Sequence, residues 1–593
     1  MRTLLTCAAV LSTFLAASSV PAMAAEPALT TVAERSGFRQ TGRYDEVIAL
    51  CGAFAKRYPD AVRCHDFGTT PEGRPMKVLV VSKAGAFTPE AARERDLPVM
   101  LVQGGIHAGE IDGKDAGFLA LRQALENEAA PGALARQVLL FVPVFNVDGH
   151  ERFGAWNRPN QRGPEQMGWR TTAQNYNLNR DYVKADSPEM QAMLGLIEQW
   201  DPVALVDLHV TNGAKFEHDI SIQVEPLYSG DAVMRAAGLE LRTTMLERLA
   251  AQGSLPLPFY PSFVVNDDPT SGFADGVAPP RFSHGYMPLR NRFGMLVETH
   301  SWKEYPQRVR ATRNTVVAMM ELMAEQGLQW RAIADAADAR ASKLAGQTVP
   351  LDYKAGDEAR LIDFRGYEYS RTPSRVSGAL MTRYDDTKPQ LWNVPLRDQV
   401  QPGRTVQAPR AGYIIPAAQA QWVQAKLDQH GIAYRRLERA SPRAEVEAFR
   451  AGTTEFSPRP LEGHQMLSLT GSWAPEARSI DTGALFVPIA QPKARLVIAL
   501  LEPQAPDSLA AWGEFNNHFE RKEYMEDYVA EEVAEQMLAA DPELRRTFEQ
   551  RLQDDPGFAA SAQARLDFFY RRHSAWDERF DLYPVLRTDT APQ

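Results

Sequence analysis

The stretch PVMLVQGGIHAGEIDG, residues 98–113, decides how the chain folds. Its first six residues are almost wholly apolar, the pattern of a strand buried on both faces of a sheet. It then passes through paired glycines to a histidine and a glutamate three residues apart, His107 and Glu110. A helical stretch follows at 113–127. Strand, polar loop, helix is the repeating unit of an α/β domain, and it leaves the polar residues at the carboxyl end of the strand. On its own the pair fits a hydrogen-bonded loop as well as it fits half of a metal site.

Working outward, four further apolar runs read as strands: MKVLVVS (76–82), VLLFVPVFN (138–146), VALVDLH (203–209) and GMLVETH (294–300). Helical patterns lie at 44–59, 188–200, 231–252 and 309–341. The expectation for 25–345 is therefore an α/β domain with a mixed, mostly parallel sheet flanked by helices. At 593 residues the chain is too long for one core. After 345 the texture changes to short β-like pieces broken by Pro and Gly, with a strand, helix, strand unit at 412–439 and a helical, charged stretch from about 508. This C-terminal accessory region, 346–593, is expected to be β-rich and then helical; its sequence gives it no role.

The first residues read as a secretory signal peptide, 1–24: Arg2, the apolar LLTCAAVLSTFLAA, then the small-residue pattern Ala22-Met23-Ala24. The apolar stretch is too short for a membrane span, so no stable membrane insertion is expected after cleavage. The mature protein is expected to be exported, to a periplasm or outside the cell. Its two remaining cysteines, Cys51 and Cys64, then read as a disulfide, with two buried thiols as the alternative. A formal net charge of −10 argues against nucleic acid or an anionic membrane as partner.

Three strand ends carry a potential ligand or base: His107 with Glu110, then His209, then Glu298. Two histidines and a carboxylate fit a catalytic zinc site, which leaves a fourth position open. A carboxylate such as Glu298 suits the general base that a hydrolase needs. The segment GWRTTAQNYNLNRDY supplies cations, Arg170 and Arg180, for an oxyanion or a substrate carboxylate, with Asn179 beside the second. Each arginine alone also fits a loop residue paired with a surface acid.

Taken together, EGRP, the His-x-x-Glu at His107 and Glu110, NVDG (146–149), GWR, NLNRDY, SPEMQAM, DLH and LVETH resemble, in order, the zinc carboxypeptidase family that includes carboxypeptidases A and B. The resemblance covers roughly 37–326. It implies one Zn2+ per chain on His107, Glu110 and His209, with Glu298 as general base. Arg170 would polarise the carbonyl, and Asn179 and Arg180 would hold the substrate's terminal carboxylate. Two positions depart from the family pattern. Asn177 stands where the family has an aspartate that orients a zinc histidine, and Asp207 is a substitute whose place the sequence does not show. In the stretch before Glu298 the only tyrosine is Tyr286, which is given the family's mobile, substrate-binding tyrosine role. Asp275 would suit a basic terminal side chain and Arg281 an acidic one.

The leading expectation is thus a secreted zinc metallocarboxypeptidase, which cuts the C-terminal peptide bond of a peptide with a free carboxylate by zinc-activated water. A zinc amidase, deacylase or cell-wall peptide hydrolase would use the same residues. A non-catalytic peptide-binding protein is a third reading, and the presence of Glu298 and Arg170 argues against it. Oligomeric state leaves no mark in the sequence.

Overall fold

The computed structural model describes residues 29–592; the leader expected at 1–24 lies outside them. Two helices, α1 (Val32–Arg35) and α2 (Tyr44–Arg57), lead into a hairpin of β1 (Val62–Thr69) and β2 (Pro75–Val81). After the short α3 (Pro89–Glu94), β3 (Val99–Gly104) precedes α4 (Asp112–Leu125), and β4 (Val138–Val142) precedes α5 (Val147–Glu151). Helix α6 (Pro188–Trp200) leads to β5 (Ala204–Thr211) and β6 (Ile220–Glu225). Then come α7 (Ala232–Ala251), the two-residue strands β7 (Pro256–Leu257) and β8 (Phe273–Ala274), the single turn α8 (Ser283–Tyr286), β9 (Phe293–His300) and the long α9 (Tyr305–Ala341).

Eight of these strands form one sheet in the order β1-β2-β4-β3-β5-β9-β6-β7. The four in the middle, β4, β3, β5 and β9, run parallel, while β2 and β6 join them antiparallel. This is the mixed, mostly parallel α/β sheet that the sequence implied. Strands β3, β4, β5 and β9 are buried at every position, which explains their unbroken apolar runs. Helix starts follow local rules: Ser187 caps α6 ahead of Pro188, and Asp231 caps α7 through the N–H groups of Val233 and Met234. Cys51 in α2 is disulfide-bonded to Cys64 in β1, tying the first long helix to the sheet edge.

Strand β6 was not expected. Its sequence, ISIQVE, alternates apolar and polar residues, so it lacks the continuous run that marked its neighbours.

Beyond α9, four three-residue strands, β10 (Thr348–Pro350), β11 (Tyr353–Ala355), β14 (Val400–Pro402) and β15 (Thr405–Gln407), frame a long hairpin of β12 (Arg360–Pro373) and β13 (Leu380–Arg397). That hairpin is no separate body. Its β13 pairs with β8, and Phe364, Trp392 and Leu396 pack against Phe216, Phe259 and Phe273. A second sheet follows, built from β16 (Gly412–Ile415), β17 (Arg435–Arg436), β18 (Ser441–Phe456), β19 (Leu467–Ile480), β20 (Leu485–Pro488) and β21 (Leu582–Thr588). Helix α10 (Ala420–Gln429) lies between β16 and β17, as the strand, helix, strand pattern predicted. Helices α11 (Ala494–Leu501), α12 (Asp527–Ala540), α13 (Pro542–Asp554), α14 (Pro556–Ala560) and α15 (Ala562–Tyr570) complete the chain before β21. The region is thus β-rich and then helical, but its strands are longer than the short pieces expected. Much of the β12–β13 and β18–β19 ribbons is exposed, so their residues carry little apolar periodicity.

Candidate active site

In β5, β9 and the loop after β3, the sheet buries charged groups at its carboxyl edge. Burying an unpaired charge costs several kcal/mol, so such residues persist where they are paired or where they work. Gly105, at φ 62°, turns the chain as it leaves β3 and delivers His107 and Glu110 to that edge. His209 and Glu298 arrive from neighbouring parallel strands and face each other directly in register. Residues far apart in sequence meet here because strand ends converge.

His107 Nδ1 lies 3.0 Å from Glu110 Oε1, and His209 Nδ1 lies 3.1 Å from Glu110 Oε2. All three residues are buried, and one donor atom from each lies within 4.8 Å of the others. The outer face of each imidazole is held as well. His107 Nε2–H donates to Asn177 Oδ1 at 3.0 Å, and Asp207 Oδ2 lies 3.0 Å from His209 Nε2. Asp207 reaches it because residues two apart on β5 share a face, and Ser283 Oγ–H fixes the same carboxylate at 2.6 Å. Both Nδ1 atoms face Glu110, with a hydrogen bond behind His107 and a carboxylate at ion-pair distance behind His209, the kind of outer partner that orients ligating histidines. Two imidazole nitrogens and a carboxylate form a donor set that suits zinc, so the residues fit the group that the sequence implied. The group could hold a metal ion.

Charge is distributed unevenly around the trio. Burial pushes His107 down to about 4. It acts on His209 in the same direction, yet Asp207 and Glu110 outweigh it and hold this imidazole well above its ordinary value. Glu110 resists its own burial because Arg158 and His107 lie against it, and its carboxyl stays well below the usual range. Glu298 goes the other way: burial lifts it to about 8, with Glu110 and Asp207 adding repulsion against the opposing pull of His209 and Arg158. A dication among the three donors would draw Glu298 down again. Glu298 Oε2 is buried without a hydrogen-bond partner, and so is Asn179 Oδ1.

A cavity of about 410 Å³ opens in front of the trio. It is lined by His107, Glu110, His209 and Glu298, and also by Arg170, Asn179 and Arg180. Arg170 Nη1 is 3.4 Å from Glu110 Oε1. Arg180 stands over the Phe282 ring, its guanidinium carbon 4.6 Å from the ring centre, and donates to Asn179 O at 2.7 Å.

Tyr286 does not join them, and its expected role is corrected. It sits in α8 with 0% exposure, its O–H donates to His430 Nδ1 at 2.9 Å, and its ring packs on Tyr182. The tyrosine in the cavity is Tyr260, whose phenol is raised chiefly by burial, with the charges of Glu298 and Glu110 adding to it. It lies farther upstream of Glu298 than Tyr286 does, in LPLPFYPSF (255–263).

Arg158 was also missed. Its Nη1 is 2.9 Å from Glu110 Oε1, and its Nη2 donates to Val210 O at 3.1 Å. Its stem occupies space left by Gly109, where an added Cβ would come within 2.6 Å of Arg158 Cγ. A glycine inside His-x-x-Glu was the one local signal for it.

The far end of the cavity is acidic. Gln223 and Glu225, two apart on β6, and Asp275 all line it. Arg281, considered for an acidic side chain, is committed to Asp507 at 2.6 Å.

The fold and the trio define a class, an α/β protein with a buried His-Glu-His group at the carboxyl edge of its sheet. Residues 47–219 match the family model described as Zinc carboxypeptidase, and the resemblance carried by the motifs is borne out over that stretch. Glu298 lies beyond it and stands on geometry. A carboxypeptidase B of Astacus astacus is 32% identical over 108 residues, which is 18% of this chain and 33% of the relative; the chain thus spans about a third of that relative's length. Among solved structures, carboxypeptidase A of Helicoverpa armigera has 16% identity, 50% and 74% coverage of the two chains and a TM-score of 0.35. A metallo-carboxypeptidase of Burkholderia cenocepacia has 16% identity, 46% and 68% coverage and a TM-score of 0.34.

Proposed function

We propose that the protein is a zinc metallocarboxypeptidase that removes the C-terminal residue of peptides. The observation that carries this reading is a single cavity holding the buried donors His107, Glu110 and His209, Glu298 with its Oε2 lacking a hydrogen-bond partner, and the Asn179-Arg180 pair. One Zn2+ per chain, held by His107, Glu110 and His209, supplies a Lewis acid when bound. Asn179 and Arg180 grip the free carboxylate, and a guanidinium beside an amide suits a planar anion. Arg170 faces the scissile carbonyl and stabilises the negative charge that develops on its oxygen. Glu298 takes a proton from the attacking water and returns it to the leaving amine. Tyr260, in place of Tyr286, is the tyrosine that meets substrate.

The acidic floor supports a preference for long basic terminal residues. Ser221 lies opposite Glu298, and Glu225 opposite Gly294. The floor is thus four residues deeper along β9, about 13 Å at the usual rise per residue. The Cys51–Cys64 disulfide supports an oxidising compartment, in keeping with the exported location read from residues 1–24.

The test is hydrolysis of a peptide panel with free or amidated C-termini, before and after chelation. Release of terminal residues from free acids, lost on chelation and restored by zinc, is expected. Equal cleavage of the amides would sink the exopeptidase reading, and full activity in chelator would sink the zinc reading.

A further inference from the structure

The C-terminal region reaches the site from behind. The tip of the β18–β19 hairpin, residues 457–466, lies against the segment 177–186, which carries both members of the carboxylate clamp. Asn177 N–H donates to Glu462 Oε2 at 2.9 Å. The side chain of Asn177 accepts from His107 Nε2 at 3.0 Å and from Asn179 N–H at 3.2 Å. A continuous line of hydrogen bonds therefore runs from Glu462 through Asn177 to the trio on one side and to the clamp on the other.

The same segment is held farther along. His464 Nε2 is 2.7 Å from Asp186, Lys426 Nζ is 2.9 Å from Asp186, and His430 Nε2–H donates to Val183 O at 2.8 Å. All three anchors come from beyond residue 346. The buried hydrophobic core is also continuous, with Tyr413, Phe449 and Leu467 in one cluster with the main sheet.

Two further observations concern Glu462 itself. Its backbone is left-handed, at φ 50°, a conformation that glycine holds more cheaply than glutamate. Its carboxylate also lies near Arg180, whose guanidinium is destabilised by burial and by Arg170 and Arg281, and there it offsets the crowding of like charges. A side chain kept at a backbone cost, near a half-buried arginine, points to a role in the site.

We propose that the C-terminal region is a working part of the active site, and that Glu462 is a positioning residue that holds the Asn177–Arg180 segment in shape for a substrate carboxylate. Glu462 positions the segment through its contact with Asn177, its charge near Arg180 being secondary, and does not touch substrate. The inference rests on the clamp reading given above.

The experiment uses the full, zinc-loaded chain carrying Glu298→Gln, so that peptide binds without turnover. Calorimetry measures affinity for a peptide ending in free lysine and for its C-terminal amide. Adding Glu462→Gly, which relaxes the backbone, is expected to weaken the free acid about tenfold. It is expected to leave the amide unchanged and the thermal midpoint no lower. Glu462→Gln, which keeps an acceptor for Asn177, is expected to restore most of the loss. Unchanged free-acid affinity, equal weakening of both peptides, or a Gln variant no better than Gly would overturn the inference. Failure of the Glu298→Gln protein to prefer free acid over amide would instead sink the clamp reading, and this inference with it.

Discussion

Glu225 offers the sharpest test of the proposed pocket. Burial lifts its carboxyl to about 8, the nearby Asp275 adding repulsion and the N–H of Leu227 and the charge of Arg242 opposing. Against the ordinary 4.5 that is between 3 and 4 units, so ionising Glu225 in place costs about 5 kcal/mol more than in water. A lysine or arginine side chain seated on the floor recovers part of that cost, and a neutral side chain recovers none. Near pH 6 about 1% of Glu225 is ionised and near pH 8 about half, so affinity for a lysine-terminated peptide should rise about 50-fold over that interval. The lysine keeps its charge throughout. The assay is the ratio of kcat/KM for two peptides that differ only in a terminal Lys or Gln, measured from pH 6 to 9. Glu298, the clamp and the metal act on both peptides, so their titrations cancel in the ratio. The ratio should climb with pH in the native protein and stay flat in Glu225→Gln. A flat ratio in the native protein, or a slope that survives the substitution, refutes the reasoning. Stability follows the same linkage. A carboxyl raised in the folded state contributes fully below about 4.5 and loses that contribution as pH rises through 8. Glu225→Gln should therefore raise the thermal midpoint at pH 8.5 more than at pH 5, by a few degrees.

Three further outcomes are expected. Glu298→Gln should lower kcat by about 10² to 10⁴, the usual worth of a general base, while bound zinc measured by metal analysis stays at one per chain. Asp207→Asn should weaken zinc about tenfold in chelator competition, because the amide supports His209 less than the carboxylate does; Asn177→Asp should strengthen it through His107 by the same logic. Opposite signs at these two positions are the diagnostic result. Gly109→Ala should cost about 1–3 kcal/mol in thermal or denaturant unfolding, since its Cβ meets Arg158 Cγ at 2.6 Å and the backbone oxygen of Gly168 at 2.7 Å.

What could be read from sequence, and what could not, divides along a physical line. Strands buried on both faces must be apolar throughout, so β3, β4, β5 and β9 stood out, and polar residues at their ends stood out with them. His107, Glu110, His209 and Glu298 were legible for that reason, and the register of β5 on β9 then needed only their position within each strand. Tyr260, Arg158 and Glu225 were not. Tyr260 lies in a loop whose path no periodicity describes. Arg158 meets Glu110 through a space that exists only because Gly109 lacks a side chain. Glu225 ends a strand whose alternating pattern lacks the continuous apolar run of its neighbours, and its depth depends on an antiparallel pairing with β9. Tyr286 differs from the expectation for the same reason: it is nearer to Glu298 along the chain, yet Tyr260 is the one that lines the cavity.

The C-terminal half was the least legible region, and the reason bears on its role. Its hairpins are ribbons exposed along much of their length, so ordinary burial leaves little trace in their sequences. Yet the residues at one tip are neither exposed decoration nor core. Glu462 and His464 make polar contacts to Asn177 and Asp186, which lie 285 and 278 residues away in sequence. Contacts at such separation impose a loop-closure cost that grows only slowly with length, so a distant hairpin can serve a site as well as a near one can. Within the trio, His209 is supported from the sheet by Asp207 on β5, whereas Asn177, which meets both His107 and Asn179, is held in turn by Glu462 of the second sheet. On the proposed reading, metal binding and carboxylate binding share Asn177 and differ in what else holds them, β5 for His209 and the hairpin tip for the clamp segment. Substitutions at the hairpin tip should leave zinc affinity nearly intact and weaken the free-acid peptide, whereas Asp207→Asn should do the reverse.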